Sequence, residues 1–281
     1  MSEQTFETVI QPKSRLLDLK LREVWKYRDL VMLFVRRTFV SQYKQTVLGP
    51  AWAVIQPLFT TVIFTLVFGR LAGLAPGGVP TFLFYLSASI AWNYFSGCLT
   101  ATSNTFVGNS AILGKVYFPR LVMPVSTVLS QLISFAIQYG FLLIFWVYYL
   151  VTGAGVHPNW WVLLTPVLVL QLAMLGFGFG VIISALTTKY RDLSMAVGFG
   201  VQLWMYLTPV AYDLDIIPER FLSVYMLNPV TPLICMFRYA YLGVGQPHWG
   251  YYVLSWAVTM AVVLLGIILF NRVEKTFMDT V

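Results

Sequence analysis

Thr187-Thr188-Lys189-Tyr190-Arg191-Asp192 is a short polar gap in an otherwise apolar part of the chain. No charged residue occurs between Asn159 and Thr188, and none between Leu193 and Tyr212. At ~1.5 Å per helical residue, either run is long enough to cross the ~30 Å hydrocarbon core of a bilayer. A charge at the bilayer centre costs about 3 kcal/mol or more, so Lys189, Arg191 and Asp192 put this gap outside the membrane. It reads as a tight loop between two spans. Two roles fit: a solvated positive turn that only sets topology, or a docking element for a soluble partner.

Composition agrees with that class. Of 281 residues, 58% are hydrophobic and 10% charged, against about 25% charged in soluble domains. The apolar runs are about twenty residues long, not the ten-residue alternation of a barrel. The spans are therefore helices, which satisfy their own backbone hydrogen bonds in lipid. Met1 to Gln11 is polar and acidic, without the apolar core of a cleavable signal peptide. Cys98 and Cys235 lie in apolar surroundings with no metal-type spacing and read as buried thiols.

Taken in order, residues 1–13 form a tail and 14–48 an amphipathic helix with its link. Residues 49–281 form a six-span domain. In the helix, expected over 14–36, Leu17, Leu21, Val24, Tyr27, Val31 and Phe34 recur every three or four positions. Arg15, Asp18, Arg22, Lys26 and Asp29 lie opposite, the pattern of a helix in the membrane interface. Spans are expected near 51–68, 81–102, 121–151, 160–186, 193–212 and 250–270. Pro50 suits a first turn, and Pro57 should kink the first span. The third is too long for a straight crossing and should tilt or project. Between spans five and six, the mostly apolar run Phe221 to Gly243 is broken at Asn228-Pro229-Val230-Thr231-Pro232 and carries Arg238. A seventh span is the alternative. The proline break and the arginine favour two half-helices that dip into the membrane and return.

Lys and Arg give the orientation. Fifteen fall in residues 1–50, the loops at 103–120 and 187–192, and the tail after Asn271. Only Arg70, Arg220 and Arg238 fall elsewhere. That asymmetry places both termini in the cytoplasm.

Catalysis has little support. His157 and His248 have no ligand-type spacing, and no HExxH or GxSxG occurs. Gly108 to Lys115 has one residue too many between its glycines for a phosphate loop, and Val116 stands where Ser or Thr is needed. ATP, if it drives this protein, binds to another chain. The expected spans contain no Asp, Glu or His, which disfavours ion coupling. They do contain aromatics at helical spacing, Tyr85 with Trp92 and Phe199 with Tyr206. These fit either a lipid-facing surface or an aromatic channel for a polyol polymer, since flat rings offer sugar C–H groups an apolar face. Gly176-x-x-x-Gly180-x-x-x-Ser184 is a small-residue stripe, favoured for packing inside one subunit over a dimer seam.

Several motifs then occur in a fixed order: Tyr43-Lys44 and Thr46, Leu48-Gly49-Pro50, Trp52, Gln56-Pro57; Lys115-Val116-Tyr117-Phe118-Pro119-Arg120; Lys189-Tyr190-Arg191-Asp192-Leu193; Pro209-Val210, Tyr212-Asp213, Ile217-Pro218; and Leu227-Asn228-Pro229. Together they resemble the membrane-spanning subunit of type-two ABC exporters that carry lipid-linked polysaccharides such as O-antigen, teichoic acid and capsule.

The resemblance implies an all-α membrane fold with six transmembrane helices, an N-terminal amphipathic interface helix and a re-entrant helix pair between spans five and six. It implies a homodimer with two copies of a cytosolic ATP-binding subunit, which binds the ATP and Mg; this chain binds no cofactor or metal. Coupling to the ATPase would fall to Asn109, Lys115, Tyr117 and Arg120 in one loop and to Lys189, Tyr190, Arg191 and Asp192 in the other. Tyr85, Trp92, Phe199 and Tyr206 would line the substrate channel, and Asn228, Pro229, Pro232 and Arg238 the outer gate. The expected function is export of a lipid-linked polysaccharide, most simply O-antigen, across a bacterial inner membrane, with no nucleic-acid partner. An exporter of drugs or small amphiphiles, and a membrane-embedded glycan or acyl transferase built on Asp213, Asp215 and Glu219, are the rivals.

Overall fold

The computed structural model describes residues 21–44, 46–109, 118–188, 190 and 192–276; the expected tail and the start of the amphipathic helix, residues 1–20, lie outside them. Among the described residues every regular element is helical. Eleven helices follow in order: α1 Leu21–Lys26, α2 Arg28–Tyr43, α3 Trp52–Phe64, α4 Thr81–Ser103, α5 Thr105–Gly108, α6 Val122–Val151, α7 Thr165–Thr187, α8 Leu193–Tyr206, α9 Glu219–Leu227, α10 Val230–Leu242 and α11 Trp249–Thr276.

The fold is built around α4, which touches α3, α6, α7, α8 and α10. Sixteen of its 23 residues are buried, so it faces protein on nearly every side. That placement explains its composition. Ser87, Ser89, Asn93, Ser96, Thr100 and Thr102 would be costly against lipid, and the hydroxyls of Ser87 and Ser96 bond carbonyls of α4 itself. Ser87 Oγ, for example, donates to the Phe84 carbonyl.

Each expected span position holds a helix, but not every helix is a span by length and apolarity. Gly49–Leu71, Val122–Val151, Trp160–Thr187 and Trp249–Val273 pass both tests. The polar character of α4 fails the second. At 14 residues α8 covers only ~21 Å, and a turn at 207–212 replaces the expected last part of span five. Pro50 enters a tight first turn, Gly49–Ala51, as expected. The α-helix runs through Pro57 and then widens to a π-helical segment over Thr65–Leu71. The third apolar run forms one helix of 30 residues, longer than a straight crossing needs.

The amphipathic helix differs from its expected bounds. The chain breaks at Tyr27, whose backbone leaves helical geometry, and α2 continues to Tyr43 instead of ending near 36. Two of the expected apolar positions, Val31 and Phe34, are buried, with Val35, and join a cluster with Phe118, Leu121 and Phe270. The opposite side, including Arg28, Asp29, Arg36 and Arg37, is exposed.

The small-residue stripe packs inside the chain, against α4. A Cβ on Gly176 would lie 2.6 Å from Cys98 Cβ, and one on Gly180 2.6 Å from Thr102 Cβ. The third member, Ser184, accepts the Phe106 backbone N–H at 3.3 Å. On the other side of α7, Gly266 of α11 approaches the Gly178 carbonyl. Gly178 was not part of the stripe, but it serves the same purpose toward a different neighbour. Gly180→Ala should cost about 1–3 kcal/mol through overpacking, whereas Gly200→Ala, inside α8 with open space around its Cα, should be stabilising by about 0.5–1 kcal/mol. Unfolding of the purified protein in detergent measures both.

Candidate functional site

The run from 207 to 243 turns sharply. α9 and α10 meet at 103°, with Asn228 extended and Pro229 starting the second helix. Proline at a first helical turn gives up no backbone bond. A bend this sharp leaves nearby backbone groups without helical partners, and the surrounding side chains supply them. Asn228 Oδ1 accepts the Val230 N–H at 3.2 Å and the Trp204 indole N–H at 3.0 Å, while its Nδ2 donates to Thr208 Oγ1 at 2.8 Å. The Pro229 carbonyl accepts the Ser255 hydroxyl at 2.6 Å. Ser255 in turn accepts from Gln171 Nε2 at 3.0 Å, and the same nitrogen donates to Thr259 at 3.3 Å. One asparagine and one serine thus tie the bend to α8, α11 and α7.

Arg238 supplies the second anchor. Its side chain is 3% exposed. Nη2 donates to the Val210 carbonyl at 2.8 Å and Nη1 to the Tyr212 carbonyl at 3.1 Å, closing the irregular turn after α8. The guanidinium stands over the Phe84 ring, 3.6 Å from its centroid, a cation–π contact with the central helix. Nearby Asp213 is also buried. Burial raises its carboxyl above the ordinary aspartate range, and the Arg238 charge opposes that rise. Toward the end of α10 the Tyr241 hydroxyl bonds Thr165 Oγ1 at 2.8 Å and the Tyr139 hydroxyl, and its carbonyl accepts the Trp146 indole N–H at 2.8 Å. The Asn159 side chain donates to the Tyr239 carbonyl.

Of the expected gate residues, Asn228 and Arg238 are therefore anchors of the bend. Pro232 is buried beside them, and Pro229 contributes its carbonyl. Trp204 was not singled out from sequence, yet it is the contact point of α8. Its ring lies 6.5 Å from Trp92, 5.1 Å from Phe95 and 5.0 Å from Phe179, centroid to centroid.

The expected channel aromatics separate into two pairs. Tyr85 and Trp92 are 0% and 3% exposed, inside the chain's own core, so neither offers a face to a cargo. The helical spacing that grouped them marks the buried side of α4, because the helix is enclosed on nearly all sides. Phe199 and Tyr206 are 66% and 50% exposed on α8, a helix with no buried residue.

Of the expected coupling residues, Lys115, Tyr117, Lys189 and Arg191 lie outside the described residues. Tyr190 is half exposed and Asp192 exposed at the start of α8, where the Asp192 carbonyl accepts the Met195 N–H. Asn109 donates from Nδ2 to the Thr105 carbonyl at 3.0 Å and faces a small cleft shared with Arg37 and Gln42. Arg120 is held inside, 9% exposed beside Phe118 and Leu121, so it does not present its charge at a surface.

A polar cleft of ≈ 470 Å³ lies between α3, α4 and α6, near the end of α2, and was not anticipated. Gln131, Ser134 and Gln138 on α6 line it at one-turn and two-turn spacing, a polar stripe legible in the sequence.

The sequence pattern of the ABC-2 type transporter family matches residues 29–242. The chain belongs to that family. Relatives of this ABC-2 protein include the O-antigen export system permease protein RfbA of Klebsiella pneumoniae, 26% identical over 89% of this chain and 94% of the relative. Its counterpart in Myxococcus xanthus is 28% identical over 78% and 82%. The inner membrane transport permease YadH of Escherichia coli is 23% identical over 68% and 76%. The ABC-2 match runs from α2 through α10 and so includes the bend and both its anchors. An ABC-2 chain of this kind is a multi-pass membrane subunit of a transporter, and the family implies an ATP-binding partner subunit.

Arg238→Met should unpair two buried carbonyls and destabilise the protein by about 2–4 kcal/mol, with Arg238→Lys intermediate because an ammonium lacks the planar fork. Asn228→Ala, which removes three hydrogen bonds, should cost about 1–3 kcal/mol. Thermal unfolding in detergent checks the order.

Proposed function

We propose that this chain is the transmembrane subunit of an ATP-driven exporter that carries a lipid-linked polysaccharide, most simply O-antigen, across a bacterial inner membrane. Two copies of the chain pair with two copies of a cytosolic ATP-binding subunit, which holds the ATP and Mg. The chain crosses the membrane six times with both termini in the cytoplasm. The expected loops at 109–120 and 187–192 receive the motion of the ATPase pair, and the bend at Asn228-Pro229 lies toward the other side.

The observation that carries this reading is the asymmetry of burial. The central helix α4 is enclosed, while α8 has no fully buried residue and α3, with the π-helical segment that follows it, is exposed along Trp52, Phe59, Ile63 and Leu66. A second copy set against α3 and α8 would turn these faces, with Phe199 and Tyr206, into the wall of a path between protomers. The positive bias of the assigned cytoplasmic segments supports the orientation. Relatives named as O-antigen export permeases, aligned over most of their length, support the cargo.

Co-reconstitution with the ATP-binding subunit tests the coupling role. Replacing Arg191 and Asp192 together by alanine should lower glycan-stimulated ATP turnover at least about tenfold and abolish export, while the protein still inserts. Turnover and export at the unaltered level would remove the docking role from this loop.

A further inference from the structure

The polar cleft has a composition unusual for a membrane protein interior. Nine of its fifteen lining residues are Gln, Asn, Ser or Thr, and none is charged. Such groups at the level of the spans need a partner, because lipid supplies none. The side-chain amides of Gln56, Asn93, Gln131 and Gln138 make no hydrogen bond within the described residues, and Gln138 Oε1 is fully buried without a partner. Among the described residues, the one hydrogen bond between side chains across the cleft is Tyr43 to Ser134 at 3.3 Å. Gly97 keeps the space clear, since a Cβ there would lie 3.0 Å from Gln131 Oε1.

Amides present donors and acceptors side by side, the complement of the vicinal hydroxyls of a sugar ring. A phosphate would instead call for Lys or Arg, and the lining offers neither. Trp52, half exposed at the cleft, adds a flat apolar face for sugar C–H groups. The volume suits a small ligand. Resting on the export reading above, we propose that this cleft is a sugar subsite. It holds neutral sugar residues of the lipid-linked glycan, by hydrogen bonds to Gln56, Asn93, Gln131 and Gln138, as the cargo passes along α3 and α4.

The test uses the chain reconstituted with its ATP-binding subunit. ATP turnover is titrated with a polyprenyl-linked O-antigen polysaccharide and, separately, with the same polyprenyl carrier bearing no sugar. In the double variant Gln131→Leu/Gln138→Leu, the half-saturating concentration for the sugar-bearing lipid, divided by that for the bare carrier, should rise about five- to tenfold. An unchanged ratio overturns the subsite while leaving export intact. A wild-type complex that does not respond to the sugar-bearing lipid overturns the export reading, and the subsite with it. If the double variant does not fold, Ser134→Cys replaces it, with labelling by a hydrophilic maleimide measured with and without each lipid. The sugar-bearing lipid should slow labelling at 134 and the bare carrier should not; equal rates overturn the proposal. Cys98 is 0% exposed and adds little background, and the part-exposed Cys235 is replaced by serine in both the variant and its control.

Discussion

A polar group that enters hydrocarbon without a partner is too costly to keep, and this constraint organises the whole chain. It pushes Lys189, Arg191 and Asp192 out of the apolar half of the sequence. It also explains why Arg238, deep in the helical body, is wrapped by two carbonyls and a phenyl ring. The bend between α9 and α10 exists under the same rule. A backbone turned through 103° survives because Asn228 and Ser255 satisfy the groups it frees, while Arg238 closes the neighbouring turn after α8.

Two parts of the bundle follow from this. Around α4 the packing is close. Glycines on α7 let backbones approach to where a single methyl would collide, and Trp204 and Arg238 bring α8 and α10 onto the same core. A tightly packed body of this kind moves as a unit instead of deforming. By contrast α3 and α8 keep broad exposed faces, and the amide-lined cleft opens along α3. In a transporter driven by a separate ATP-binding subunit, the rigid part suits transmission of motion and the open faces suit assembly and cargo. That division of labour is the physical content of the proposed export role.

Much of the architecture was legible in the sequence because hydrocarbon imposes simple rules. The uncharged runs fall on helices at all six expected positions, and the Asn228-Pro229 break falls where the chain turns. Gly176 and Gly180 were readable as a packing stripe, though only the structure shows which helix they meet. The misses have a common cause. Periodicity tells which residues share a helix face but not what that face touches. Tyr85 and Trp92 therefore looked like channel lining, whereas the central position of α4 buries them. The same limit hid Gln131 and Gln138, which face a cleft only because α3 and α4 stand opposite, and Trp204, whose partners come from α4, α7 and the Asn228 side chain. The extension of α2 to Tyr43 was obscured because its exposed side also carries Met32, Leu33 and Val40, which blur the amphipathic pattern.

Coupling through the Lys189–Asp192 loop requires that loop to lie on the cytoplasmic side of the membrane. With Cys98 and Cys235 replaced by serine, single cysteines placed at Tyr190 and at Ser223 of α9 can be labelled with a membrane-impermeant thiol reagent in intact spheroplasts and in inside-out vesicles. The account predicts labelling at 223 only in spheroplasts and at 190 only in inverted vesicles. Labelling of 190 from outside intact spheroplasts would contradict it.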